Sequence, residues 1–196
     1  MKNENKKTMY IAICALVLAV IGISIAYAAL STNLTIQSAS VTQNALNWDV
    51  HFQSGTVTPT SSGTSATGRS CGTATVNATT VSAAATTLSK PGDTCTYALK
   101  VQNTGDIDAN LATITPTAPN STSCTTLDGA NMVCGNITYK LTTDQNGQNL
   151  LTTNRTLAKT NGVLDLYLVI TYSGTETNTT PVTHNGGSFT LVYNQV

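Results

Sequence analysis

The side chains best suited to chemistry in this 196-residue chain are its five cysteines. Cys14 lies in an apolar run near the start, which leaves Cys71, Cys95, Cys124 and Cys134 for the rest. Four thiols can hold a zinc ion or close two disulfides. Zinc ligands normally come as close pairs such as C-x2-C, and the intervals of 24, 29 and 10 contain none. An even number of cysteines in an exported chain reads instead as a disulfide framework. Of the three possible pairings, Cys71 with Cys95 and Cys124 with Cys134 is preferred, because each closes a short loop between neighbouring expected strands.

Little else in the sequence is poised to react. His51 falls on the polar side of an expected strand and His184 in a Thr/Asn/Gly stretch, so both read as surface residues. Asp93, Asp106 and Asp108 have the oxygen ligands that calcium takes, but turn aspartates usually bond their own backbone, and no metal or other cofactor is expected. No H-E-x-x-H, G-x-S-x-G, Walker loop or G-x-G-x-x-G occurs. A serine or cysteine without a base partner is not a nucleophilic site. The chain reads as a non-enzyme.

Composition and the N-terminal segment point outside the cell. Charged residues make up only 9% of the chain, against roughly 25% in ordinary soluble domains. Six basic and eight acidic residues beyond Ala28 leave a net charge of −2 with no basic cluster, which argues against nucleic acid as a partner. Lys2, Lys6 and Lys7 precede an apolar run from Met9 to Ile25, and Ala26, Tyr27 and Ala28 fit the small-x-small pattern cut by signal peptidases. Cleavage between Ala28 and Ala29 would release the chain. Left uncut, a helix from Met9 to Leu30 would span about 33 Å, enough to anchor it in a bilayer about 30 Å thick. Either way the three lysines stay inside and the bulk of the chain lies outside. Residues 1–28 are therefore a signal peptide or membrane anchor, 29–45 an N-terminal strand and linker, and 46–196 the folded domain.

The elements that must position the cysteines are strands. Cys95, Tyr97, Leu99 and Val101 alternate with Thr96, Ala98, Lys100 and Gln102, the period of two that buries one sheet face. Pro91, Gly92 and Asp93 make the turn before this strand, and residues 103–106 turn the chain toward an antiparallel return over 107–114. Residues 46–53 alternate too and carry the only tryptophan, Trp48, expected to anchor the core with Phe52. Asn146-Gly147 and Asn161-Gly162 predict type I′ hairpins linking 137–142, 150–158 and 163–172. Residues 55–72, 116–131 and 173–187 read as polar or irregular loops, and 188–194 closes the domain with Phe189, Leu191 and Tyr193 inward. Eight or nine strands at about ten-residue spacing predict an all-β fold, an antiparallel β-sandwich of jelly-roll or Ig-like type, preceded by an N-terminal hydrophobic helix.

Residues 88–111 resemble the "L-x-P-G-D, strand, N-x-G" segment of the TasA and camelysin family of exported proteins from Gram-positive bacteria. The N-terminal layout, ending in Ile25, Ala26, Tyr27, Ala28, Ala29 and Leu30, and the final strand around Phe189 and Tyr193 are similar as well. That resemblance implies a jelly-roll subunit of biofilm matrix fibres, cleaved by a dedicated signal peptidase. It also implies that the mature N-terminal segment, residues 29–38 here with Leu30, Leu34 and Ile36, adds as a donor strand to the next copy. Some members carry a metalloprotease label; with no zinc-protease motif, that activity is not carried over. The expected function is a cell-surface or extracellular-matrix structural protein that self-associates. The alternative is a surface adhesin or carbohydrate-binding module whose ligand sits on the loops at 55–72 and 173–187.

Overall fold

The computed structural model describes Met9 and residues 13–18, 45–63, 68–119, 124–175 and 186–196. The chain divides into two compact units, Met1–Asn44 and Ala45–Val196. In the first unit, Met9 and residues 13–18 are helical with exposed side chains, and Cys14 is a free thiol. Among the described residues no helix is long and apolar enough to cross a membrane. The cleavage positions Ala26, Ala28 and Ala29, the donor residues Leu30, Leu34 and Ile36, and His184 lie outside the described residues.

The second unit is all-β. Its described residues form β1 (Val50–Phe52), β2 (Gly55–Val57), β3 (Thr60–Ser62), β4 (Ser70–Cys71) and β5 (Ala74–Val76). Then come β6 (Val81–Ala83), β7 (Thr86–Thr87), β8 (Thr94–Asn103), β9 (Ala109–Thr117) and β10 (Cys124–Asp128). The last are β11 (Asn131–Cys134), β12 (Ile137–Thr142), β13 (Thr156–Leu157), β14 (Gly162–Tyr172) and β15 (Ser188–Gln195). All pairings are antiparallel. The main sheet runs β1-β8-β14-β12-β11-β10, with β3 also on β8, and a second sheet runs β13-β9-β15. Two small sheets, β2-β5-β6 and β4-β7, complete the set.

The long strands form where alternation is cleanest. In β8 the side chains of Cys95, Tyr97, Leu99 and Val101 are all buried, while Ala98 and Lys100 are exposed. Its partner β14 lies between β8 and β12, with Leu166, Ile170 and Tyr172 buried on the same inner face. These residues share one apolar core with Ala109 and Leu111 of β9. Pro91 and Gly92 (φ 87°) carry the turn into β8, closed by the Asp93 N–H donating to the Lys90 carbonyl at 3.0 Å. This is the arrangement in which proline pre-sets the first corner and glycine supplies the positive φ of the second.

Several expectations are corrected. Residues 94–103 and 109–117 do not form a hairpin: β8 pairs with β1 and β14, whereas β9 crosses to the other sheet and pairs with β15 and β13. Buried Asn103 sets that crossing, its amide donating to the Ile107 and Leu157 carbonyls at 2.9 and 3.1 Å. Gly105 passes so close to β1's approach that a Cβ would lie 2.7 Å from the Asn47 carbonyl oxygen. In β9 the register slips opposite Val192 and Tyr193, so Leu111 and Ile114, three apart, both reach the core. Such bulges reverse which side of a strand faces inward.

The two Asn-Gly turns are not type I′. Gly147 has φ 73° but Asn146 does not share it, and Asp144 instead organises the loop by accepting from the backbone N–H groups of Asn146, Gln148 and Asn149. At the second, Thr160 takes the left-handed conformation (φ 74°) and its N–H donates to Gly105. Consequently 150–158 yields only a bridge from Leu150 to Thr142 and the two residues of β13. The loop expected over 55–72 contains β2, β3 and β4, and 116–131 contains β10. Trp48 is exposed, with Leu46, because the chain joins the sheet only at Val50; before that its backbone is engaged by the 104–106 turn.

Candidate functional site

The second unit carries a cleft of about 1120 Å³ lined largely by apolar side chains, above the roughly 300–1,000 Å³ of typical small-molecule pockets. Its floor is the inner face of the main sheet, with Leu166, Leu168 and Ile170 of β14 flanked by Tyr139 of β12 and Leu99 of β8. One wall is β15, through Phe189 and Leu191; the other is the run from Thr79 to Ser89, which contains β6 and β7. Phe189, Leu191 and Leu168 are only partly buried although they face the core.

The composition of the second wall explains the space. Residues 78–89 read Ala-Thr-Thr-Val-Ser-Ala-Ala-Ala-Thr-Thr-Leu-Ser, and such small side chains cannot reach across to a floor of leucine, isoleucine and tyrosine. A sandwich core about 10 Å thick is normally filled by interdigitated side chains from both sheets. Both flanking strands are also sheet edges: β15 ends the order β13-β9-β15 and β6 ends β2-β5-β6. Edge strands leave backbone N–H and C=O groups available for pairing.

Comparison with protein-family models, with curated proteins and with solved structures finds no match. The chemistry of the cleft therefore rests on its own residues.

Among the described residues the cleft lining carries hydroxyls and one carboxamide, Asn136, and no charged side chain. That lining can bury an apolar face. Burial raises the Tyr139 phenol above its ordinary value and holds it neutral. Tyr193, farther along β15, is pushed up to about 12 by burial.

The four cysteines expected to pair do so as Cys71–Cys95 and Cys124–Cys134. Cys95 projects from the inner face of β8, and Cys71 lies opposite Thr86 in the β4–β7 pair. Cys124 and Cys134 face each other in the β10–β11 hairpin. The first bond thus reaches the wall of the cleft, and the second does not.

Of the titratable residues singled out in the sequence, Asp93, Asp106, Asp108 and His51 are engaged in structural bonds. Asp93, fully buried, accepts from the backbone N–H groups of Ser89 and Lys90 and faces Arg69 at 3.5 Å. Asp106 accepts from the Asn47 N–H and Asp108 from the Lys159 N–H. Among the described residues no cluster of three or more His, Cys, Asp or Glu could hold a metal. His51 Nδ1 lies 2.8 Å from Asp49, whose other oxygen accepts from the Thr104 hydroxyl. The Thr104 bond, then His51, hold the Asp49 carboxyl below its ordinary value. Because that hydroxyl points at the carboxylate rather than at the imidazole, the trio lacks the nucleophile-to-base contact of a hydrolytic triad.

Proposed function

We propose that the protein is an exported structural subunit that polymerises at the cell surface or in the extracellular matrix by strand addition. The observation that carries this reading is the largely apolar cleft between two strands, β15 and β6, that are sheet edges among the described residues. Two sheets around a shared core with one strand position open suit a jelly-roll or Ig-like sandwich completed by a neighbour. Leu30, Leu34 and Ile36 fall on one face of an extended segment, the spacing that would set three apolar side chains onto the cleft floor. Backbone pairing supplies affinity in such additions, and pockets for alternate side chains supply specificity. A donor at one end and an acceptor elsewhere is a heterologous contact, which propagates instead of closing. The resemblance to the TasA and camelysin family supports the same reading.

In this reading signal peptidase cuts between Ala28 and Ala29, freeing the donor; uncut, residues 1–28 hold the subunit in the membrane. The subunit is not an enzyme. Negative-stain microscopy of the mature protein with and without residues 29–38 tests the proposal. Fibres that disappear on deletion support it, and monomers in both preparations overturn it.

A second reading, a carbohydrate-binding surface module, draws on exposed Trp48, since glycan sites commonly present an aromatic face. Glycan-array binding that is lost in Trp48→Ala, without fibres, would favour it.

A further inference from the structure

The wall of the cleft opposite β15 has little support of its own. Strands β4 and β7 are two residues each, and a two-stranded piece of this size is not stable in isolation. It is attached to the main sheet through buried Asp93, which binds Arg69, Ser89 and Lys90 on its flanks, and, within the two strands themselves, through two successive inward side chains of β8, Cys95 and Tyr97, both fully buried. Cys95 is bonded to Cys71. The Tyr97 hydroxyl lies 2.8 Å from the Thr86 hydroxyl and donates to the Gly72 carbonyl at 2.9 Å. Cys71 is the register partner of Thr86, and Thr86 itself lines the cleft. By contrast, no residue of β10 or β11, the strands joined by Cys124–Cys134, lines it.

We infer that the Cys71–Cys95 disulfide, seconded by the Tyr97 hydroxyl, is the positioning element of the cleft. It holds the β4–β7 wall at the separation from β15 that an added strand of a second copy requires. The inference rests on the strand-addition reading and assigns one of the two disulfides to assembly. The other ties the β10–β11 hairpin, which borders the floor strand β12 but supplies no lining residue itself.

The test compares fibre elongation by the exported protein, seeded with preformed fibres, for the parent, Cys71→Ala/Cys95→Ala, Cys124→Ala/Cys134→Ala and Tyr97→Phe. Thermal melts run alongside. Each double variant loses one loop constraint of comparable size, so general destabilisation alone would slow both alike. The expected result is elongation slowed roughly tenfold or more in the Cys71/Cys95 variant and within about twofold of the parent in the Cys124/Cys134 variant. Tyr97→Phe, with its disulfide intact, falls between them. Equal slowing in both double variants, or none in the Cys71/Cys95 variant, overturns the inference while strand addition stands. No fibres from the parent overturn strand addition and this inference together. Should the Cys71/Cys95 variant fail to fold, Tyr97→Phe decides: slowed elongation supports the positioning role, and the parent's rate overturns it.

Discussion

Asp93 shows how a residue readable as a metal ligand serves the fold. Its carboxylate has no exposure, accepts two backbone N–H groups and faces a guanidinium. Removing one partner of a buried ion pair leaves the other charge uncompensated and costs about 3–5 kcal/mol. Asp93→Ala is expected to destabilise the domain by an amount in that range, measured by urea unfolding; a change below about 1 kcal/mol would show that the pair contributes little. Two partly exposed carboxylates add to the acid sensitivity. Asp144 is held below its ordinary value by the Asn149 N–H first, with the Gln148 and Asn146 N–H groups adding to it, and Asp49 is lowered as well. A folded-state value below the unfolded one means that the folded chain binds fewer protons, so stability is full above the unfolded value and is lost as pH falls through the folded one. The melting temperature should therefore drop below about pH 4, and Asp144→Asn should flatten that drop. Tyr193 works in the other direction. Its value near 12 means the fold favours the protonated phenol, so stability falls as pH rises from about 10 toward the folded value. Tyr193→Phe, which also removes a buried hydroxyl that has no hydrogen-bond partner among the described residues, should melt no lower than the parent at pH 8 and resist alkali better.

Among the elements, β14 sets two leucines of the cleft floor at different depths. Leu166 is 1% exposed, and its truncation should cost about 2–5 kcal/mol, as for other buried leucines. Leu168, two residues on, is partly open to the cleft. Leu168→Ala should unfold more nearly like the parent, measured by denaturant midpoints, yet slow strand addition. Both β8 and β14 were legible because every second residue is apolar over Cys95–Val101 and Leu164–Tyr172, and a one-residue slip would expose either set. The pairing of 94–103 with 109–117 was misread. A short turn between two alternating runs looks the same whether the second strand returns beside the first or crosses to the opposite sheet; the buried Asn103 amide, a tertiary contact, decides. Trp48 was misread for a related reason: its alternation continues beyond the end of the sheet that would have covered it. The cleft had only a faint sequence signal, the run of alanine and threonine over 78–89, because missing volume registers only against the side chains facing it.

At the scale of the whole molecule, low charge and the cleft lead to one expectation. Among the described residues the cleft lining has no charged side chain, and salt screens charges rather than apolar contacts. Assembly should therefore proceed at nearly the same rate from about 0.05 to 0.5 M sodium chloride, followed by light scattering, and a tenfold slowing would point to charged contacts instead. Leu191→Lys places an ammonium on the apolar wall and should leave monomers at any salt. The bond between Cys71 and Cys95 has another consequence if the protein works outside the cell as proposed. It closes a covalent ring around β5, β6, β7 and the turn before β8. A single protease cut anywhere between Gly72 and Thr94 therefore severs the backbone without separating the pieces, and the nicked molecule comes apart only on reduction.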